Sequence, residues 1–128
     1  MAQVTFIIGL PGSGKSFLAK TLEASSINPV MLIDDPTTLD LSKLDNTLDV
    51  IVTDPHLCNP RIKANAVDIF KKRGYLINFI FFENNVEKCL KNIEYRNDDR
   101  IISRSGLESF RYSIPENVPT IEIWQNEN

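Results

Sequence analysis

Little in this 128-residue chain points to a membrane, an oxidising compartment or a polyanion. It has two cysteines, Cys58 and Cys89, far apart and without C-x-x-C partners. A disulfide framework and a zinc site are therefore excluded as organising features, and both thiols are expected to be reduced in a cytoplasmic protein. No apolar run is long enough to span a bilayer. The apolar start leads straight into a glycine-rich loop and reads as a strand rather than a signal peptide. Basic residues are outnumbered, 14 against 17, giving a net charge of −3 and a pI near 5.1. The field of the whole protein does not draw in nucleic acid, although a local basic groove is compatible with it. Repeats, low-complexity tracts and linker-like stretches are missing, so residues 1–128 read as one domain. Glycine is scarce too: there are five, and Gly9, Gly12 and Gly14 share one short stretch.

That stretch is Gly9-Leu10-Pro11-Gly12-Ser13-Gly14-Lys15-Ser16, a complete G-x-x-x-x-G-K-[S/T] phosphate-binding pattern. Its glycines let main-chain N–H groups turn inward around a polyphosphate. Lys15 then reaches the β- and γ-phosphates, and the Ser16 hydroxyl ligates Mg²⁺. Gln3 to Ile8 before it is an apolar, β-branched run that reads as a buried strand. Lys15 to Glu23 after it reads as a helix, with Phe17, Leu18 and Leu22 towards one side. The positive end of that helix adds to the attraction for phosphate. Gly9, Pro11, Gly12, Ser13, Gly14, Lys15, Ser16 and Phe17 are the expected nucleotide-binding residues.

Further strands are expected at 29–33, 49–53, 75–82 and 120–124. Asn59 as N-cap, Pro60 at the first helical position and Gly74 as stop frame a helix whose buried stripe is Ile62, Ala66, Ile69 and Phe70. Lys71-Lys72-Arg73 closes it as a solvated, dipole-matching end. A helix over 86–95 points Val86, Cys89, Leu90 and Ile93 inward, with Glu83-Asn84-Asn85 capping it. Ser105-Gly106-Leu107-Glu108 reads as a capping box for a short helix reaching about Ser113. Strands alternating with helices predict an α/β fold, a parallel sheet covered on both faces. Ligands in such sheets sit beyond the C-terminal strand ends.

Those ends carry the candidate chemistry. Asp54 is placed to steady Mg²⁺ or its water, or else is a turn residue before Pro55. Asp34 and Asp35 are either a polar strand terminus or the source of a base, Asp34, that accepts the proton of an attacking hydroxyl. Arg96, Arg100 and Arg104 are spaced by four. They converge if their stretch is helical and form a lid if it is a loop, and Asp98 and Asp99 are available to pair with them. Arg96 and Arg100 are the candidates for stabilising the transferring phosphoryl group. His56, the one histidine, is either structural or a contact to acceptor or phosphate. Trp124 reads as edge packing.

With GLPGSGKS followed by a short apolar helix, the chain resembles the small P-loop kinases related to phage polynucleotide kinase and zeta toxin. Val50 to Arg61, V-I-V-T-D-P-H-L-C-N-P-R, is similar to that group's strand end, D-T-N-L followed by N-P and basic residues. Pro55 and His56 replace Thr and Asn, and one residue is added before Asn59. Cys89 to Arg96, C-L-K-N-x-x-x-R, resembles the helix entering the lid, with Lys91 near the place of an arginine. The resemblance implies a three-layer fold with a five-stranded parallel sheet in the order 2-3-1-4-5. It also implies that Asp34 is the base and Arg96 a lid residue. Two departures stand out: Thr37 replaces an arginine, and the segment between the second and third strands, which shapes the acceptor cleft, is much shortened.

The expected activity is transfer of the γ-phosphate of ATP, with Mg²⁺, to a hydroxyl on a nucleic-acid end, a nucleoside or a small molecule. The alternatives are a nucleotide-dependent regulatory module that hydrolyses slowly and, less favoured by the short inter-strand segment, a nucleoside monophosphate kinase. No N-K-x-D signature for guanine occurs, so ATP is the default donor. The chain is expected to act as a monomer or weak homodimer.

Overall fold

The computed structural model describes residues 2–33, 47–96 and 103–123. Its elements run β1 (Gln3–Ile8), α1 (Lys15–Ser25), β2 (Val30–Ile33), β3 (Asp49–Thr53), a 3₁₀ turn (Pro55–Cys58), α2 (Pro60–Lys72), β4 (Leu76–Phe82), α3 (Val86–Arg96), α4 (Arg104–Glu108) and β5 (Thr120–Ile121). The five strands form one parallel sheet in the order β2-β3-β1-β4-β5. This is the order that the resemblance implies. β1 lies at the centre, with Ile7 opposite both Thr53 of β3 and Ile80 of β4.

Alternation along β1 divides the core. Val4, Phe6 and Ile8 face one layer, where they meet Val50, Val52, Ala66 and Phe70. Ile7 faces the other, with Ala19, Cys89, Ile93 and Leu107. Helix α2 thus covers one face, while α1, α3 and α4 cover the other. The first layer is bound by rings: Phe70 meets Phe6 and Tyr75 edge-on at centroid distances of 5.7 and 5.2 Å. Such pairs add to the area that each ring buries.

The caps of α2 follow the expectation. Asn59 Oδ1 accepts from the N–H groups of Arg61 at 2.9 Å and Ile62 at 3.3 Å, and Gly74 takes φ +81° to end the turn. At α3, Asn85 Oδ1 accepts from the Lys88 N–H at 3.1 Å. Asn84 and Glu83 instead reach the chain's last segments, Asn84 Nδ2 to Tyr112 O and Glu83 Oε1 to the Ile123 N–H.

Three expectations are corrected. Phe17 is not on the inward side of α1; Lys15, Leu18, Ala19 and Leu22 are, and the Phe17 ring is 77% exposed. Helix α4 is capped by Ser103, whose Oγ accepts from the Gly106 N–H, and it stops at Glu108. Beyond it Phe110, Tyr112 and Ile114 all pack on the α2-side core. That spacing of two suits an extended chain and not a helix. Thirdly, β5 is limited to Thr120 and Ile121, and Trp124 falls outside the described residues. No described helix is long and apolar enough to cross a membrane.

Removing the Phe70 ring should cost about 3–5 kcal/mol, as a fully buried aromatic truncated to a methyl group. Urea denaturation of Phe70→Ala measures this. Lys72→Ala, which breaks only the exposed 2.9 Å pair with Asp68, should change stability by less than about 0.5 kcal/mol.

Candidate active site

The end of β1 opens into the glycine-rich loop, and the loop closes on α1. Gly14 is the N-cap of α1, and its carbonyl accepts the Leu18 N–H at 3.0 Å. Lys15 turns back into the loop, and its Nζ donates to the carbonyls of Gly9 at 2.8 Å and Leu10 at 2.9 Å. Main-chain carbonyls are neutral acceptors, so the ammonium is held in place yet can exchange them for anionic phosphate oxygens. Ser16 is exposed in the first turn of α1. Ser13 is 1% exposed, and its Oγ is buried without a hydrogen-bond partner. Such a group costs stability unless something accepts or donates there.

The loop is clamped from three sides. A Cβ on Gly9 would stand 2.6 Å from Ser13 Oγ and 3.2 Å from Phe82. A Cβ on Gly12 would stand 2.7 Å from the Cys89 carbonyl and 3.0 Å from Ile93 Cγ1, and Gly12 has φ +86°. Only a residue without a side chain fits there. Asn92, 4% exposed, donates from Nδ2 to the Gly12 carbonyl at 3.0 Å. Sequence reasoning placed Cys89 and Ile93 inward but missed Asn92. The available signal was its spacing, three residues beyond Cys89 on the buried side of the helix. On the other flank, Cys58 Sγ donates to the Gly9 carbonyl at 3.5 Å.

Asp54 ends β3 one residue beyond Thr53, which pairs with Ile7. Its Oδ1 accepts the His56 main-chain N–H at 2.7 Å and stands 2.7 Å from His56 Nδ1. The carboxylate is 5% exposed and caps the 3₁₀ turn. The His56 ring contacts Phe110 edge-on at 6.3 Å. The structure thus gives Asp54 and His56 a structural pairing. Pro11, Gly12, Ser13, Gly14, Lys15, Ser16 and Phe17 all fall on the loop and the first turn of α1. Arg96 is the last residue of α3, one turn after Asn92. Arg104 pairs with Glu87 across α3 and α4. Asp34, Asp35, Thr37, Asp98, Asp99 and Arg100 lie outside the described residues.

Burial pushes both thiols up to about 11 against the opposing pull of Lys15, Cys58 beside Gly9 and Cys89 beneath the loop. They are neutral neighbours of the lysine, not nucleophiles. Burial likewise raises Tyr112, whose hydroxyl donates to the Phe82 carbonyl. Lys88 bonds Glu83 at 2.9 Å and Glu122 at 3.1 Å. The bond from Lys88 lowers the Glu83 carboxyl, and the bond from Glu83 raises the Lys88 ammonium.

Over 122 residues the chain is 33% identical to the uncharacterised protein R277 of Acanthamoeba polyphaga mimivirus, with 88% of this chain and 87% of that one covered. The chain belongs to that protein's family. No model of a known protein family matches it. The R277 relative carries no assigned activity, so the fold is the wider guide. A gluconokinase from Sinorhizobium meliloti 1021 superposes with a TM-score of 0.61 at 12% identity, covering 98% of this chain and 84% of its own. APE1195 does so with a TM-score of 0.59 at 19% identity, covering 95% and 84%. At these identities the likeness is one of fold, a parallel five-stranded sheet covered by helices on both faces.

Gly12→Ala should combine backbone strain with a clash against α3. We expect a loss of about 1–3 kcal/mol from the φ alone, with the collision adding to it. Gly14→Ala, at φ +103° but with nothing within 4 Å, should lose only the strain part. Thermal unfolding of the two variants makes the comparison. For the thiols, stability that rests on neutral Cys58 and Cys89 should hold below about pH 9 and fall as the pH rises towards 11. Iodoacetamide at pH 8 should label the folded protein far more slowly than the unfolded one.

Proposed function

We propose that this chain is a Mg²⁺-dependent phosphotransferase that moves the γ-phosphate of ATP to a hydroxyl acceptor. One observation carries the reading. The loop is already wrapped, with Lys15 Nζ held at its mouth by two main-chain carbonyls and the backbone locked by α3 at Gly12. With the Gly12 backbone already fixed, phosphate binding asks chiefly that Lys15 exchange two neutral carbonyls for anionic oxygens, so little backbone reorganisation opposes it.

In this reading Lys15 and the amides of Gly12, Gly14, Lys15 and Ser16 bind the β- and γ-phosphates, the Ser13 amide being taken by the Leu10 carbonyl at 3.1 Å. Asp34 accepts the proton of the attacking hydroxyl, while Arg96 and Arg100 steady the charge on the transferring group. A divalent cation that arrives with phosphate needs few protein ligands, and the exposed Ser16 hydroxyl meets that need, with Asp54 behind it. When bound, Mg²⁺ neutralises charge on the phosphate oxygens. The one domain serves donor and acceptor, in the cytoplasm, as a monomer or weak homodimer. The acceptor is a polynucleotide 5′-hydroxyl, a nucleoside or a small hydroxyl compound. The narrower likeness to polynucleotide kinase favours the first, and the gluconokinase fold adds sugar acids.

The shortened stretch from Pro36 to Asp49 favours a second reading, a nucleotide-dependent regulatory module with slow hydrolysis. Incubation with γ-labelled ATP and a panel of 5′-hydroxyl oligonucleotides, nucleosides, sugar acids and small alcohols separates the two. Labelled acceptor supports transfer, and ATP consumption without it supports the module. Lys15→Ala should lose both binding and turnover. Asp34→Asn should lower transfer by at least about 10²-fold and leave ATP affinity nearly intact. Full turnover in Asp34→Asn rules out the base.

A further inference from the structure

Of the large apolar side chains that the described residues leave exposed, Ile27 follows α1, Leu76 and Phe79 lie on β4, and Val118 precedes β5. Phe17 alone among them belongs to the phosphate loop and its helix. It follows Ser16 directly and is two residues, about 3 Å of helical rise, beyond Lys15. Packing does not explain it. The buried side of α1 is Lys15, Leu18, Ala19 and Leu22, and the exposed neighbours of Phe17 are Ser16, Lys20 and Thr21. A small or polar residue would serve an exposed first turn at least as well.

The chemistry of the loop says what passes over this turn. If Lys15 and the loop amides take the β- and γ-phosphates, the α-phosphate and the nucleoside leave the loop at the start of α1. An aromatic face there meets a flat, weakly hydrated base. Rings that carry bases in this way do so whatever the base, because each base has a π-face. We propose that the Phe17 ring is the platform on which the base of the bound nucleoside triphosphate stacks. This rests on the nucleotide reading above and adds the part of the donor that the loop itself does not contact. A stacking platform gives affinity for purine triphosphates with little choice between adenine and guanine.

The test compares wild type, Phe17→Ala and Phe17→Trp by calorimetry against ATP, GTP and inorganic tripolyphosphate, each with Mg²⁺. Circular dichroism checks that the variants are folded, as an exposed ring should permit. Phe17→Ala should weaken ATP and GTP alike by about tenfold or more and leave tripolyphosphate unchanged, while Phe17→Trp restores nucleotide affinity. Equal ATP affinity in wild type and Phe17→Ala overturns the platform, including the case where Phe17→Ala instead abolishes a dimer in sedimentation. Equal losses for ATP and tripolyphosphate also overturn it, because they mark a damaged loop. Wild type that binds tripolyphosphate but not ATP overturns the platform and spares the phosphate site. Wild type that binds neither overturns the nucleotide reading as well.

Discussion

The contact between Gly12 and α3 is the constraint on which the site depends. A main chain that has to wrap an anion with its N–H groups turns its carbonyls and Cα atoms outward, and those need neighbours that tolerate close approach. Here the Gly12 carbonyl is taken by Asn92, and the missing side chain leaves room for the Cys89 carbonyl and Ile93. The loop is therefore held by a helix that starts after β4, far along the chain. The same helix ends at Arg96.

The opposite flank is fixed by different means. Asp54 stops β3 by capping a tight turn, and the turn brings Cys58 under Gly9. A cysteine suits this position because it is small, buried and a weak donor, and burial keeps it neutral beside Lys15. The lysine thus sits between two uncharged sulfurs. Glu83, Asn84 and Tyr112 tie the segment after α4 to the end of β4. This compensates for a fifth strand only two residues long.

Much of the fold was legible because its signals are local. The strand–loop–helix unit announces itself through glycine spacing, and Asn59-Pro60 with Gly74 marks α2 at both ends. The apolar run of β4 marked a strand between two layers, although Leu76 and Phe79 stay exposed. The errors have a common origin. Phe17 was grouped with Leu18 and Leu22 on one side by counting apolar residues, yet the helix turns its Lys15 and Ala19 side to the sheet. The loop requires the lysine to point in, and helical geometry then sends residue 17 out. At α4, two serines compete for one cap, and the extended packing of Phe110, Tyr112 and Ile114 on the core favours the earlier stop.

The sequence by itself determined the glycine-rich loop between β1 and α1 and the parallel sheet with helices on both faces, since each depends on residues close together in the chain. Only the tertiary structure decided what surrounds that loop. Asn92, Cys58, Cys89 and Phe82 reach it across long sequence separations. Whether a buried asparagine or an exposed phenylalanine serves a site depends on which backbone the fold brings beside it, and sequence spacing carries no record of that distance.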